Sequence, residues 1–186
     1  MSPRPSLPLT HEYILLGLLH QRPMHGYDLH KEIATREGIA LIWSIKQSRL
    51  YALLDKLEAQ GMLTSTLVPG EAHPSRKEFR LTEAGQQAFY TWMQSPVRHP
   101  REMRQDFLAR LYFASQISPQ AAAHLIHQQQ AACRNWLQGL DQRERLLGED
   151  RNFERNVYAF RTTQITGMLE WLSSQETKLT QKQPAP

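Results

Sequence analysis

Residues 44–61, which read SIKQSRLYALLDKLEAQG, decide the fold. Ser44 and Gln47 have the spacing of a capping box, and Gly61 is typical of a helix end. Between them, leucines recur at i, i+3, i+4 and i+7, which places them on one face of a helix. These are Leu50, Leu53, Leu54 and Leu57. The stretch therefore predicts an amphipathic helix with a buried leucine face and a solvent-exposed opposite face.

Shorter elements are predicted on both sides of this helix. Two helices precede it, two β-prone runs around a turn-rich tip follow it, and Thr82 caps a further helix. The predicted ranges are 13–19, about 25–37, 62–68, 78–81 and 82 to about 94. Three helices followed by a hairpin and another helix are the organisation of a winged helix-turn-helix. We therefore predict a mainly α fold that begins with this DNA-binding module.

The chain beyond Ser95-Pro96 is predicted to be entirely helical. The three helices cover about 104–115, 119–147 and 152–174, and the middle one would be about 40 Å long. Apolar residues recur along it every seven positions, at Ile126, Cys133, Leu140 and Leu147. Such a seam needs a partner helix, and the simplest partner is a second copy, although the seam fits an intramolecular pair as well. We interpret this part as an all-helical dimerisation arm.

These elements predict five segments along the chain. They are a flexible N-terminus over 1–9, a winged helix-turn-helix DNA-binding domain over 10–95, a linker over 96–103, a helical dimerisation domain over 104–175, and a flexible tail over 176–186.

Composition excludes several classes of protein. The 186 residues are 40% hydrophobic and 22% charged, with a net charge of +4, so the chain can bury a core. The single cysteine, Cys133, excludes an intrachain disulfide framework. The longest apolar run, 13–19, is far shorter than the roughly 18 residues of a membrane span, and the start has no signal-peptide pattern. We expect a cytoplasmic protein and no membrane partner.

No arrangement of residues predicts catalysis, a metal site or a cofactor. His124 and His127 share a helix face and could hold a metal, but no third ligand is near in sequence, so surface histidines are the better interpretation. Glycine-rich phosphate loops and nucleophile elbows are absent. Cys133 lies on the heptad seam, which favours a buried structural thiol. We expect no enzyme.

The exposed face of the 44–61 helix and the hairpin tip carry the candidate DNA contacts. Recognition helices enter the major groove N-terminus first, where Gln47 and Arg49 could read bases and Lys46, Ser48 and Tyr51 could bind phosphates. Singly, such lysines and arginines are ordinary surface residues, but two basic clusters at these positions favour DNA. The predicted set is Lys46, Gln47, Ser48, Arg49, Tyr51, Lys56, His73, Ser75, Arg76 and Lys77.

Four runs of the sequence resemble the PadR family of transcriptional regulators. They are Thr10-HEYILLGLL, His25-GYDLHKEI, Ser48-RLYALLDKLEAQG and Arg76-KEFRLTEAG. The tail resembles the long helical arm of one subfamily. The resemblance implies a homodimer that binds an inverted-repeat operator in double-stranded DNA, represses a neighbouring gene and is released by a small molecule. It also implies that Tyr51, Arg76 and Lys77 contact DNA. Relatives often have proline after this tyrosine, whereas this chain has Ala52.

Trp92 is the candidate effector residue. It lies at the predicted junction of the DNA-binding domain and the arm, where an aromatic effector could contact it. Two other functions stay open. One is a winged-helix module that binds a protein partner instead of DNA, because fold alone does not determine function. The other is a ligand-binding protein without DNA activity.

Overall fold

A computed structural model describes residues 10–69 and 75–181. The chain forms two compact units: one contains the described residues up to 93 together with 108–113, and the other contains 94–107 and those from 114 onward. The predicted flexible N-terminus, His73 and residues 182–186 lie outside the described residues.

The first unit is a winged helix-turn-helix, as predicted. A three-stranded antiparallel sheet in the order β1-β3-β2 lies among its helices. The elements are α1 Thr10–Gln21, β1 Met24–His25, α2 Gly26–Thr35, α3 Ile39–Ile42, α4 Gln47–Ala59, β2 Leu63–Val68, β3 Arg76–Leu81 and α5 Glu83–Gln94.

The leucine face of α4 is buried, which confirms the central prediction. Leu50, Leu54 and Leu57 are completely inaccessible to solvent and Leu53 is 8% exposed. Helix α4 packs on α2 and on β2 through this face. Full burial of a leucine side chain contributes roughly 1.5–3 kcal/mol, so four of them hold α4 firmly and leave its other face free.

The start of α4 differs from the prediction. Its N-cap is Lys46, no side chain caps it, and Ser44 lies two residues further out, so the capping box is wrong. The segment before α4 is instead held by a tertiary contact, because His30 donates its Nε2–H to the Ile45 carbonyl oxygen at 3.0 Å. Trp43, which is 5% exposed, anchors the same segment.

Thr82 caps α5 as predicted. Its hydroxyl accepts the Gly85 N–H at 3.1 Å, and its own N–H donates to the Met62 carbonyl oxygen at 3.2 Å. The first turn of α5 therefore lies directly against the chain that enters β2.

The second unit is helical. It contains a short 3₁₀ helix at Pro100–Arg104, parts of α6 (Asp106–Ile117), and the long helices α7 (Pro119–Glu144) and α8 (Asn152–Gln181). Ser118 caps α7 as its spacing predicts, since its hydroxyl accepts the Ala121 N–H at 3.0 Å. Helices α7 and α8 pack against each other.

Three of the four predicted seam positions are buried inside a single chain, whereas Leu147 lies beyond the end of α7 at Glu144 and is only half-buried. Ile126, Cys133 and Leu140 of α7 are at most 8% exposed, as are Ile165 and Leu172 of α8. The seam is therefore filled by the intramolecular pair, which the spacing had left as an alternative.

Two predicted boundaries are wrong. Residues 96–103 are not an open linker, because Val97 and Met103 are buried and the Val97 N–H donates to the Gln129 side-chain oxygen at 2.8 Å. The tail does not begin at 176, because α8 continues to Gln181. Glu176 holds that last part of the helix, since it binds the Gln130 amide at 3.1 Å.

Helix α8 also exposes apolar side chains. Phe153 and Phe160 are 76% and 63% exposed, and Trp171 is 37% exposed. At 100° per residue, spacings of seven and eleven put all three on one face. We call Phe153, Phe160 and Trp171 the α8 stripe.

None of the helices in the described ranges, 10–69 and 75–181, is both long enough and apolar enough to cross a membrane.

Candidate nucleic-acid interface

The N-terminal half of α4 presents a polar, basic surface. Lys46, Gln47, Ser48 and Arg49 are exposed, and Tyr51 is 38% exposed. Within the described part of the chain, neither Lys46 nor Arg49 has a carboxylate at ion-pair distance. The structure therefore places these five predicted residues on the free face of the helix. The helix-end partial charge adds to the positive potential there.

The wing lies beside this surface. A cleft of about 510 Å³ has Gln47 and Tyr51 of α4 on one side and Arg76 and Lys77 of β3 on the other. Ser75, Arg76 and Lys77 are all exposed. The wing and α4 thus share one cleft, in which Arg76 and Lys77 stand with Gln47 and Tyr51, whereas Lys46 and Arg49 line a second cleft at the start of α4. We call this set the α4–wing surface.

Three residues that sequence reasoning missed line the same cleft: His25, Gly26 and Tyr27. The short strand β1 brings them there, since His25 pairs with Glu78 and donates its Nδ1–H to the Lys77 carbonyl oxygen at 3.2 Å. Tyr27 is 56% exposed, so its phenol is available to a ligand. A two-residue strand has no periodicity of its own, which explains why the sequence did not reveal it.

Gly26 positions Tyr51. A Cβ atom on Gly26 would lie 2.6 Å from the edge of the Tyr51 ring, so the ring packs directly on the glycine backbone. The contact directs the phenol toward the cleft.

We expect Gly26→Ala to displace the Tyr51 ring and to weaken DNA binding about fivefold, equivalent to about 1 kcal/mol. The fold should remain, because only one exposed ring has to move. Fluorescence anisotropy with a labelled DNA fragment measures the change. Gly139→Ala is the control, since a Cβ there meets nothing within 4 Å. Equal affinities for both variants would contradict the role of Gly26.

Lys77 has an intramolecular partner. Its ammonium lies 3.3 Å from Oε2 of Glu58, whose Oε1 accepts the Ser65 hydroxyl at 2.6 Å. The Ser65 hydrogen bond, and then Lys77, hold the pKa of Glu58 below its usual value. Lys77 is still 53% exposed at its side chain, so it can leave this weak surface pair for a phosphate.

Lys56, another residue of the predicted set, also has an intramolecular partner and does not line the cleft, so its contact with DNA stays a prediction. Its Nζ donates to Oε1 of Glu12 at 2.7 Å, and Glu12 is completely buried. Lys56 therefore ties α4 to α1. Helical spacing alone could not reveal this, because a buried acid on another helix attracts the lysine.

A second cleft of about 480 Å³ lies at the start of α4, between Trp43, Lys46 and Arg49. The His11 ring stacks on Trp43 at 5.1 Å between centroids. Burial, and then the charge of Arg49, lower the pKa of His11, which favours the neutral form of its ring. In this form, the His11 ring beside Arg49 adds no charge of its own to this cleft.

Trp92 lies in the core of the first unit and is 6% exposed. The Tyr13 ring stacks parallel to it at 5.1 Å, and the Arg110 guanidinium lies 5.2 Å from its centroid. Phe113 packs edge-on at 6.4 Å. An effector contact at Trp92 stays a prediction, and it requires side chains of this cluster to move.

The two histidines considered as metal ligands point to different partners. His124 bonds to the Gln128 amide at 2.6 Å, and His127 Nε2 lies 2.8 Å from Oε1 of Glu176. Cys133 is buried as predicted, and burial raises the pKa of its thiol.

Comparison with known proteins identifies the first unit. The model of the transcriptional regulator PadR-like family matches residues 15–91, which include α4 and the wing. Residues 15–91 are thus similar to the PadR-like family. This family consists of transcriptional regulators and not of enzymes. A second model, the virulence activator alpha C-terminal family, matches residues 103–180, which contain α7 and most of α8.

Individual proteins and solved structures are also similar to this chain. The negative transcriptional regulator PadR of Bacillus subtilis is 31% identical over 121 residues, which are 63% of this chain and 64% of that protein. The matched part thus spans slightly less than two thirds of the relative. A crystal structure of Bacillus subtilis PadR in complex with operator DNA is 25% identical, with a TM-score of 0.47, and the match covers 92% of this chain and 99% of that one. A regulator from Clostridium thermocellum is 28% identical, with a TM-score of 0.38 over 43% and 75% of the chains.

Proposed function

We propose that this protein is a homodimeric, sequence-specific DNA-binding repressor of the PadR type that a small-molecule effector releases from its operator. The α4–wing surface carries this proposal. It combines an exposed helix N-terminus, the side chains of Lys46 and Arg49, which have no carboxylate at ion-pair distance among the described residues, and a basic wing that shares a cleft with α4. A module that binds proteins has no need for this combination of charges.

The roles within the surface follow from side-chain chemistry. Arg49 can donate two hydrogen bonds to the O6 and N7 atoms of a guanine, and Gln47 can bind an adenine in a similar way. Lys46, Ser48 and Tyr51 bind phosphates on one side of α4. Arg76 and Lys77 of the wing, together with Ser75, bind phosphates on the other side, and His73 joins this set by its position in the sequence alone. Phosphate contacts orient α4 in the groove, and base contacts select the sequence.

The α8 stripe supports the proposal of a dimer. Three large apolar side chains on one face of a long helix are costly to leave in water, and a second copy of the same stripe covers them symmetrically. A twofold dimer presents two α4 helices to successive major grooves, roughly 34–36 Å apart, so its operator is an inverted repeat. Such a dimer acts on the bacterial nucleoid, in the cytoplasm.

The proposal also includes repression of a gene by this protein and its release from DNA by an effector. The Bacillus subtilis relative is named a negative transcriptional regulator, which supports repression by this chain. An effector would favour a dimer whose two α4 helices no longer match the groove spacing, which shifts the population away from the DNA-bound form. A small aromatic effector that moves the cluster around Trp92 fits this model.

Two substitutions separate base recognition from phosphate binding. We expect Arg49→Ala to relax sequence preference and to cost about 1–3 kcal/mol on the cognate site. We expect Lys77→Ala to weaken all DNA about equally and to reduce the slope of log affinity against log salt by about 1. Operator fragments selected by the purified protein supply the cognate site, and titrations at several salt concentrations give both quantities.

Arg151→Ala is the matched control. Arg151 is an exposed arginine of the second unit that pairs with Glu154 at 2.7 Å, so its loss should change neither quantity. Binding that is insensitive to salt and to both Arg49→Ala and Lys77→Ala would overturn the proposed function. Recovery of a protein partner without nucleic acid would favour the protein-interaction module.

A further inference from the structure

The second unit contains a cleft that the proposed function does not use. It has a volume of about 630 Å³ and lies between the 98–101 segment, α7 and α8. This volume falls within the roughly 300–1,000 Å³ of small-molecule sites. Four arginines from these three segments line it: Arg98, Arg101, Arg143 and Arg161.

The four guanidinium groups lack acidic partners. Within the described ranges, none of them has a carboxylate at ion-pair distance, although the same unit pairs Arg145 with Asp141 at 2.8 Å and Arg151 with Glu154. Glu102 and Glu144 are adjacent in sequence to Arg101 and Arg143, but neither pairs with the four arginines, and Oε2 of Glu102 accepts the backbone N–H groups of Arg98 and His99. Four like charges around one cleft repel each other, so an anion that enters it gains their combined attraction.

The rest of the cleft is suited to a flat apolar body. Trp136 and Leu140 of α7 and Ile165 of α8 line it between the arginines. Trp136 is only half-buried, so part of its indole faces the opening. Aromatic rings stack favourably on tryptophan, and arginines bind carboxylates through paired hydrogen bonds.

We propose that this cleft binds a small planar aromatic anion with two negative charges, such as an aromatic dicarboxylate. The aromatic body stacks against Trp136, and each carboxylate takes hydrogen bonds from arginines of different segments. A ligand held in this way links the 98–101 segment to α7 and α8, and therefore stiffens the second unit. The proposal concerns binding to the protein itself, and it rests on the proposed function only for its consequence on DNA.

Isothermal titration calorimetry with the full chain tests the site, with terephthalate as the probe at an ionic strength of about 0.15 M. We expect millimolar or tighter binding of terephthalate and at least about tenfold weaker binding of the uncharged terephthalamide. The double variant Arg143→Gln, Arg161→Gln should also bind terephthalate at least about tenfold more weakly than the unaltered protein does. Both arginines are exposed, so the fold should persist, and circular dichroism verifies this.

Arg145→Gln is the matched control. It removes a charge from the same end of α7, but its partner is Asp141 and it does not line the cleft. The affinity of the Arg145→Gln variant for terephthalate should stay within about twofold of that of the unaltered protein. Trp136→Phe should remove the change in tryptophan fluorescence that terephthalate binding produces.

Several results would overturn the inference. The first is that terephthalate does not bind at about 10 mM. The second is that terephthalamide binds as tightly as terephthalate, and the third is that Arg145→Gln weakens terephthalate binding as much as the double variant does. Inorganic phosphate that binds as tightly as terephthalate would indicate an adventitious ion only. A loss of DNA affinity in the double variant without ligand would make the cleft a DNA contact instead. Failure of the proposed function is separate, because it appears as unchanged DNA binding in Arg49→Ala while terephthalate still binds.

Discussion

Replacing both Phe153 and Phe160 with glutamate is expected to produce a monomer that binds operator DNA at least about a hundredfold more weakly. The two rings are 76% and 63% exposed within one chain, so their loss costs the isolated fold little. In a dimer the same positions would bring four carboxylates together in an apolar interface. A monomer binds one half-site and loses the effective concentration that linkage provides, typically a factor of 10²–10⁴.

Sedimentation equilibrium measures the mass of this variant, and anisotropy titrations measure its affinity for a full operator and for a single half-site. Both affinities should become similar, because only one α4 is then present. Leu41→Glu is the control for the mass that sedimentation equilibrium measures. Leu41 is 91% exposed but belongs to the first unit, so this variant should stay dimeric. A double variant that remains dimeric at micromolar concentration would exclude the α8 stripe as the interface.

Gly85→Ala is expected to have the largest effect on stability, about 3 kcal/mol or more. A Cβ atom at this position would lie 2.1 Å from the Met62 carbonyl oxygen and 2.9 Å from a methyl group of Leu81. The carbonyl is backbone and already accepts the Thr82 N–H, so it cannot move without loss of that hydrogen bond. The substitution therefore pushes α5 away from the chain that enters β2, which distorts the wing.

Urea unfolding followed by circular dichroism and tryptophan fluorescence measures this loss. Gly139→Ala provides the comparison, because it lies inside α7 with nothing within 4 Å of its Cβ, and it should stabilise by about 0.5–1 kcal/mol. DNA affinity should fall with Gly85→Ala, since the wing carries Arg76 and Lys77. An unchanged unfolding midpoint would show that α5 can shift without cost.

Local patterns accounted for most of the first unit. The leucines of α4 repeat with the period of a helix, and this period by itself predicts which face of the helix is buried. Arg49 and the residues around it were predicted as exposed for the same reason. Thr82 and Ser118 were recognised as caps because a cap bonds a backbone N–H only two or three residues away.

Apart from the capping box at Ser44 and Gln47, which is a local pattern, what the sequence did not reveal depends on residues far apart in the chain. Lys56 turns to Glu12, which is 44 residues away, and Val97 bonds to Gln129, which is 32 residues away. His25 reaches the α4–wing surface only because β1 pairs with β3. Each of these contacts joins groups whose sequence neighbours give no sign of the partner.

The sequence by itself therefore determined the identity of the elements, the buried face of α4 and the basic character of the surface opposite it. These properties depend on side-chain periodicity and on hydrogen bonds between residues only a few positions apart, and both can be recognised in the linear sequence. Only the tertiary structure decided which charges remain free, where the units end and what lines the second cleft. Packing brings distant charges and apolar groups within a few ångströms of each other, and their interaction energy depends on that distance and not on their separation along the chain.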